Sequence, residues 1–204
     1  MIKSIFKFTL FYILFLFTGC DEINNIFSKD KNTTTTQSSI THKKTTPPLE
    51  YDFTFKDLEM QNSLLHVTDD FYDFRNIKQP IVMVAFLSSW APPCRGEIPH
   101  LSQLQTKYKD KLFILGSLLY EDKKPDELKK FIASQKAYFY ISNDYQQNMN
   151  FASFMAHKLK IPQKFPVPLM VIFVQGKYFT HYEGAIPQEM IDSDIEQILN
   201  KLEE

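Results

Sequence analysis

Phe86-Leu87-Ser88-Ser89-Trp90-Ala91-Pro92-Pro93-Cys94-Arg95-Gly96-Glu97-Ile98-Pro99 is the stretch that decides how the chain folds. Running into it, Ile81-Val82-Met83-Val84-Ala85-Phe86-Leu87 is an uninterrupted apolar run behind Pro80, the pattern of a strand buried on both faces. Running out of it, Ile98, Leu101, Leu104 and Tyr108 fall on one stripe of a helix. Pro92 and Pro93 suit the first helical turn, where missing N–H groups cost little. A buried strand therefore passes through a tight turn into a helix, with Cys94 in its first turn. A thiol there faces the positive end of the helix dipole, which favours thiolate. Burial of the same thiol would act in the opposite sense.

Outward from this junction, strands and helices alternate. Upstream, Phe53-Thr54-Phe55 and Leu64-Leu65-His66-Val67 read as a short hairpin. Downstream, Leu112 to Leu119 reads as a second apolar strand. Pro125 to Ser134 reads as a helix, with Pro in its first turn and Asp126-Glu127 complementing the dipole. Ala137 to Ile141 reads as a strand and Phe151 to Lys158 as a helix. Ile161 to Pro168 is a Pro-rich loop. Leu169 to Val174 and Tyr178 to Tyr182 form a hairpin around Gln175-Gly176, and a last helix carries Ile191, Ile195, Ile198, Leu199 and Leu202 on one face. Alternating β and α units predict an α/β domain over residues 49–204. Its central sheet is mixed and flanked by helices, with an N-terminal β-hairpin extension.

Composition narrows the function classes. The 204 residues carry 23 Lys and Arg against 24 Asp and Glu, so no basic surplus points to nucleic acid. Five glycines and no G-x-G-x-x-G or G-x-x-x-x-G-K pattern argue against a phosphate-cradling loop. Two cysteines, Cys20 and Cys94, exclude a disulfide framework and a Cys-rich zinc site. The histidines are scattered. His100 lies on the site helix, but six residues from Cys94, and is expected to point elsewhere. No metal and no cofactor is expected.

The N-terminus reads as an address. Lys3 and Lys7 precede a charge-free apolar run too short to span a bilayer, as in a signal peptide over residues 1–19. Leu16-Phe17-Thr18-Gly19-Cys20 resembles a bacterial lipobox, with Phe17 in place of the usual Leu. That resemblance implies lipidation of Cys20 and a lipid anchor on the membrane. Asp21-Glu22 resembles the signal that keeps enteric lipoproteins at the inner membrane. Cleavage before Cys20 would leave 21 Lys and Arg against 24 Asp and Glu, so attachment would rest on the lipid. Residues 20–48 then read as a Thr/Ser/Pro-rich tether unable to bury enough surface to fold. As a flexible coil it would span about 30 Å.

The strand–turn–helix with Trp90, Pro92-Pro93, Cys94, Glu97 and Pro99 resembles the TlpA/ResA family of the thioredoxin superfamily. These are membrane-tethered periplasmic thiol–disulfide oxidoreductases, several of which serve cytochrome c maturation. The resemblance runs over nearly the whole domain: the early hairpin, Val167-Pro168 before the penultimate strand, and Gly184 after the last. It implies a thioredoxin-like fold, a cis bond before Pro168, and Val167 beside the active cysteine, where its backbone can pair with an extended substrate. It implies that Glu97 sits beneath the site and tunes protonation, and that Trp90 faces the substrate. It implies client proteins or peptides bearing cysteines, an apocytochrome among them, and a membrane thiol reductant as a further partner.

One departure governs mechanism. The family's first cysteine, the nucleophile, falls on Ala91, Leu87 replaces the first Trp, and Ser88 replaces an Ala. A dithiol cycle within one chain is thereby lost. Plainer roles stay open for each residue: Cys94 as a buried core side chain, Glu97 as a first-turn carboxylate, Trp90 as packing, Pro168 as a loop proline. Two functions compete. In one, Cys94 works as a monothiol and another protein's thiol resolves the product. In the other, the groove of Trp90, Val167 and Pro168 binds a client without redox chemistry. A peroxidase is disfavoured: Ala91 lacks the hydroxyl that would hold peroxide, and the only arginines are Arg75 and Arg95.

Overall fold

The computed structural model describes residues 49–204. The signal peptide, the lipobox cysteine Cys20 and the tether expected over residues 1–48 lie outside the described residues. The elements run β1 (Glu50–Lys56), β2 (Asn62–Thr68), β3 (Phe71–Arg75), β4 (Ile81–Leu87), α1 (Pro92–Lys107), β5 (Leu112–Leu118), α2 (Pro125–Ser134), β6 (Tyr140–Ser142), α3 (Tyr145–Leu159), β7 (Leu169–Val174), β8 (Lys177–Glu183) and α4 (Gln188–Glu203). They build one sheet of order β1-β2-β3-β8-β7-β4-β5-β6. β4 pairs parallel with β5 and antiparallel with β7, so the sheet is mixed, as the sequence predicts.

The apolar run of β4 is buried at every position because both faces are covered. Its side chains alternate. Val82, Val84 and Phe86 point into a cluster rich in phenylalanine, with Phe53, Phe55, Phe74, Phe151, Phe165 and Phe173. Ile81, Met83, Ala85 and Leu87 point into a second cluster with Ile98, Leu101 and Leu104 of α1, Leu128 of α2, and Ile191, Ile195 and Ile198 of α4. Helix α3 fills the first face through Phe151, Ala152, Met155 and Ala156.

The expected N-terminal hairpin is present as β1–β2, and a third strand extends it. Phe71–Arg75 alternates exposed and buried residues and pairs with β2. A run this short, directly after Asp69-Asp70, gives little periodicity to read. Among strand pairs, the three-stranded meander joins the rest of the sheet only at Phe71 opposite Lys177. Its far edge folds over the aromatic cluster. Asn143 N–H donates to Lys56 O (2.9 Å), and the Tyr140 hydroxyl lies within reach of both Phe55 O (2.9 Å) and Gln61 O (2.8 Å), which share its one proton.

α3 starts at Tyr145 rather than near Phe151. Asp144 caps it, accepting from Gln147 N–H at 3.2 Å. Its first turns are polar and carry no apolar stripe. Buried Asn148 instead donates to Leu118 O and Ser142 O, tying the helix to the ends of β5 and β6. The Gln175–Gly176 turn has positive φ at both residues (48° and 76°), the geometry that matches strand twist in a two-residue hairpin. Among the described residues no helix is long and apolar enough to cross a membrane.

Candidate functional site

The site lies where β4 ends and α1 begins. Ser88 and Ser89 are buried as the chain leaves the sheet, and Ala91 N–H donates back to Ser88 O at 3.3 Å, closing the turn. Ala91 is the N-cap residue of α1, with extended backbone and no side-chain capping bond. Pro92 and Pro93 supply the first two helical positions, so Cys94 is the first residue of the helix with an N–H to offer. Arg95 N–H makes the first helical bond, to Ala91 O at 3.1 Å.

Cys94 is where the sequence places it, in the first turn, but its exposure is 0%. It packs in the second core cluster with Ala91, Leu87 and Ile98. Burial pushes the thiol up from its ordinary range, and the nearby Glu97 carboxylate adds to the shift. The backbone at Ser88 and at Cys94 itself opposes it. Burial outweighs the helix start here, and the group is held as the neutral thiol.

Glu97, one turn on, is 2% exposed, and its Oε1 has no hydrogen-bond partner. Burial raises its carboxyl above the usual range. The charge of His100 and the backbone of Ile186, in the loop before α4, act in the opposite direction. His100 was expected to point away from the site. It does lie away from Cys94 in sequence, yet it is i+3 from Glu97 and acts on that carboxylate, with its own Nδ1 buried and unpaired. The i, i+3, i+6 spacing of Cys94, Glu97 and His100 was the signal that could have found it.

Trp90 is 54% exposed, with only its indole N–H anchored, donating to Tyr120 O at 3.0 Å. The Val167–Pro168 peptide bond is cis. Pro168 is buried, its carbonyl accepts from Gly184 N–H at 2.8 Å, and half-buried Val167 packs against both core clusters, including the one holding Ala91 and Cys94. Gly184 has φ of 85°, a conformation favouring glycine. The structure thus places Ala91 and Cys94 in one cluster with Val167 packed against it, Glu97 buried three residues further along α1, and Trp90 exposed. A cavity of about 770 Å³ lies elsewhere, between the β2–β3 turn, α3 and β8, and none of these residues lines it. Among the described residues no group of His, Cys, Asp and Glu is arranged to hold a metal ion.

Two further residues were not legible as site residues. Glu121, in the loop after β5, accepts from Ser89 N–H at 3.2 Å, and Tyr120 carries the carbonyl that holds Trp90. They lie some 30 residues from the motif, with no pattern linking them to it.

No protein-family model and no curated protein matches this sequence. Solved structures do. A thiol:disulfide interchange protein of the thioredoxin family from Chlorobium tepidum is 15% identical with a TM-score of 0.57, covering 75% of this chain and 96% of its own. A secreted Mycobacterium tuberculosis disulfide oxidoreductase, homologous to Escherichia coli DsbE, is 17% identical with a TM-score of 0.52, covering 71% and 95%. StoA from Bacillus subtilis is 17% identical with a TM-score of 0.50, covering 72% and 98%. The chain has a thioredoxin-like fold.

Proposed function

We propose that this is a cell-envelope protein of thiol–disulfide handling that holds an extended, cysteine-bearing client against Trp90 and the Val167–Pro168 segment and runs no dithiol cycle of its own. The observation that carries the reading is the pairing of Ala91, which has no nucleophile, with Cys94 at 0% exposure. Dithiol exchange needs an accessible thiolate to attack and a second thiol to resolve. This site offers one thiol, buried and held neutral. What remains is the material for binding: the exposed Trp90 ring, and the Val167–Pro168 segment, whose backbone the family resemblance implies would pair with an extended chain.

The thiol:disulfide proteins of the same fold support the setting, as does the lipobox-like run ending in Cys20. A lipid on Cys20 would keep the domain near clients at the membrane, apocytochromes among them. A membrane thiol reductant would act on those clients rather than on this chain.

A second reading rests on the helix start. The backbone groups at Ser88 and Cys94 favour thiolate, and these would serve a monothiol if the first turn opened. The thiolate would then attack a client disulfide, form a mixed disulfide, and release the client's other thiol. The membrane reductant's thiol would resolve the product.

Thiol labelling separates the two. Cys94 should resist a maleimide in the native protein and react fully in denaturant, whereas rapid native labelling would favour the monothiol. In parallel, Ala91→Cys should confer insulin-type disulfide reduction that the parent lacks, since Cys94, Glu97 and Pro168 are already in place. Reduction by the parent above a Cys94→Ala control would defeat the binding reading.

A further inference from the structure

Trp90 has more than half of its surface in solvent, yet it is not free. Its ring N–H is tied to Tyr120 O (3.0 Å), and the residue before it, Ser89, gives its backbone N–H to Glu121 Oε2 (3.2 Å). Both bonds come from the loop joining β5 to α2, which is itself anchored by Leu119 N–H donating to Leu87 O at 2.7 Å. The loop is held in an unfavourable shape. Tyr120 has φ of 55°, in the left-handed region where a bulky side chain is rare and strained. Such a conformation persists only where the surroundings over-determine it.

Glu121 supplies that constraint. Its side chain is 8% exposed, an unusual place for a carboxylate on a short connection. Both oxygens are used. Oε1 accepts from Asp122 N–H and Lys123 N–H, each at 3.2 Å, and lies 3.7 Å from Lys123 Nζ, while Oε2 accepts from Ser89 N–H. One oxygen curls the loop on itself, and the other fastens the curled loop to the Trp90 turn. With the loop curled, the Tyr120 carbonyl meets the indole.

We propose that Glu121 is a positioning residue for Trp90: it locks the β5–α2 loop against Ser89 and so fixes the pose in which Trp90 is presented to a client. This rests on the reading that Trp90 faces the client. Because the chain has a single tryptophan, the pose can be followed without any client.

The test measures Trp90 emission and acrylamide quenching in the parent, Glu121→Ala and Glu121→Gln. Alanine removes every acceptor, so Trp90 should become mobile and quenching should rise roughly twofold, as a half-exposed ring becomes fully exposed. Glutamine keeps one carbonyl acceptor and should fall between. Ile198→Ala, a core change in α4 outside this loop's hydrogen bonds, is the control for general loosening and should leave quenching at the parental value. Parental quenching and emission in Glu121→Ala would overturn the proposal. So would an equal rise in the Ile198→Ala control. Should the alanine variant fail to fold by circular dichroism, the glutamine variant decides: raised quenching supports the proposal and parental quenching overturns it. Binding of a reduced, carboxymethylated unfolded polypeptide should weaken about tenfold in Glu121→Ala. Raised quenching with unchanged binding would leave the positioning role standing and defeat the client-binding reading instead.

Discussion

At the scale of single residues, Cys94 and Glu97 show how tertiary burial overrides local position. A first-turn cysteine and a carboxylate one turn later both sit near the positive end of a helix, which favours their charged forms. Both are driven toward their neutral forms because the second core cluster and the α4 approach take water away. For Glu97 the consequence has a definite sign. Its folded-state value is raised, so the folded state binds the proton more tightly than the unfolded chain does. Stability is full below the ordinary carboxylate range and falls as pH rises through the raised value. Glu97→Gln should therefore raise the unfolding free energy at pH 7, on the order of 1.4 kcal/mol for each pH unit by which burial raises the carboxyl, because the amide never has to be buried charged. Titrating the parent–variant difference by urea denaturation should show it shrinking to nothing toward pH 4. A difference that grows on acidification would contradict the burial argument.

At the scale of elements, the weakest joint is where β3 meets β8. One strand pair connects them, reinforced by Tyr72 N–H donating to Gly176 O at 2.7 Å. Gly176 is required there twice over. Its φ of 76° disfavours a side chain, and an added Cβ would come within 2.6 Å of the Phe71 ring. Gly176→Ala should cost roughly 1–3 kcal/mol. The loss should be local first, with hydrogen exchange rising at Tyr72 before it rises in β4. Uniform loss of protection across β4 and β3 together would mean the meander and the central sheet open as one unit. Elements also set what could be read from sequence. β4, α1 and α4 carry strong apolar patterns and were legible. β3 is short and half-exposed. The first turns of α3 are polar, and Asn148 is buried there because it satisfies two strand-end carbonyls, not because it is apolar.

At the scale of the whole molecule, the phenylalanine cluster binds the meander to the rest. The Phe151 ring packs on Phe53 and Phe55 of the meander (centroids 4.9 and 5.4 Å) and on Phe86 of β4 (5.7 Å). It therefore couples α3, the meander and the central strand. Phe151→Ala should destabilise the protein by about 3–5 kcal/mol, since the rigid surround collapses only partly around the void. Thermal unfolding should show that drop as one transition. A near-parental midpoint would show that the meander adds little to the global fold.

The sequence by itself determined the α/β class, the strand–turn–helix carrying Cys94, the presence of Ala91 rather than a second thiol three residues before it, and the Pro168 position, because these are properties of residue type and local pattern. Only the tertiary structure decided the chemistry left to the site. Whether Cys94 is a reactive thiolate or a core side chain depends on how much water reaches it, and that is set by Leu87, Ile98 and the cluster around them. The pose of Trp90 likewise depends on Tyr120, whose carbonyl accepts from the indole, and on Glu121, which accepts from Ser89 N–H beside it. Burial and long-range hydrogen bonding are sums over neighbours distant in the chain, and no local run of residues encodes them.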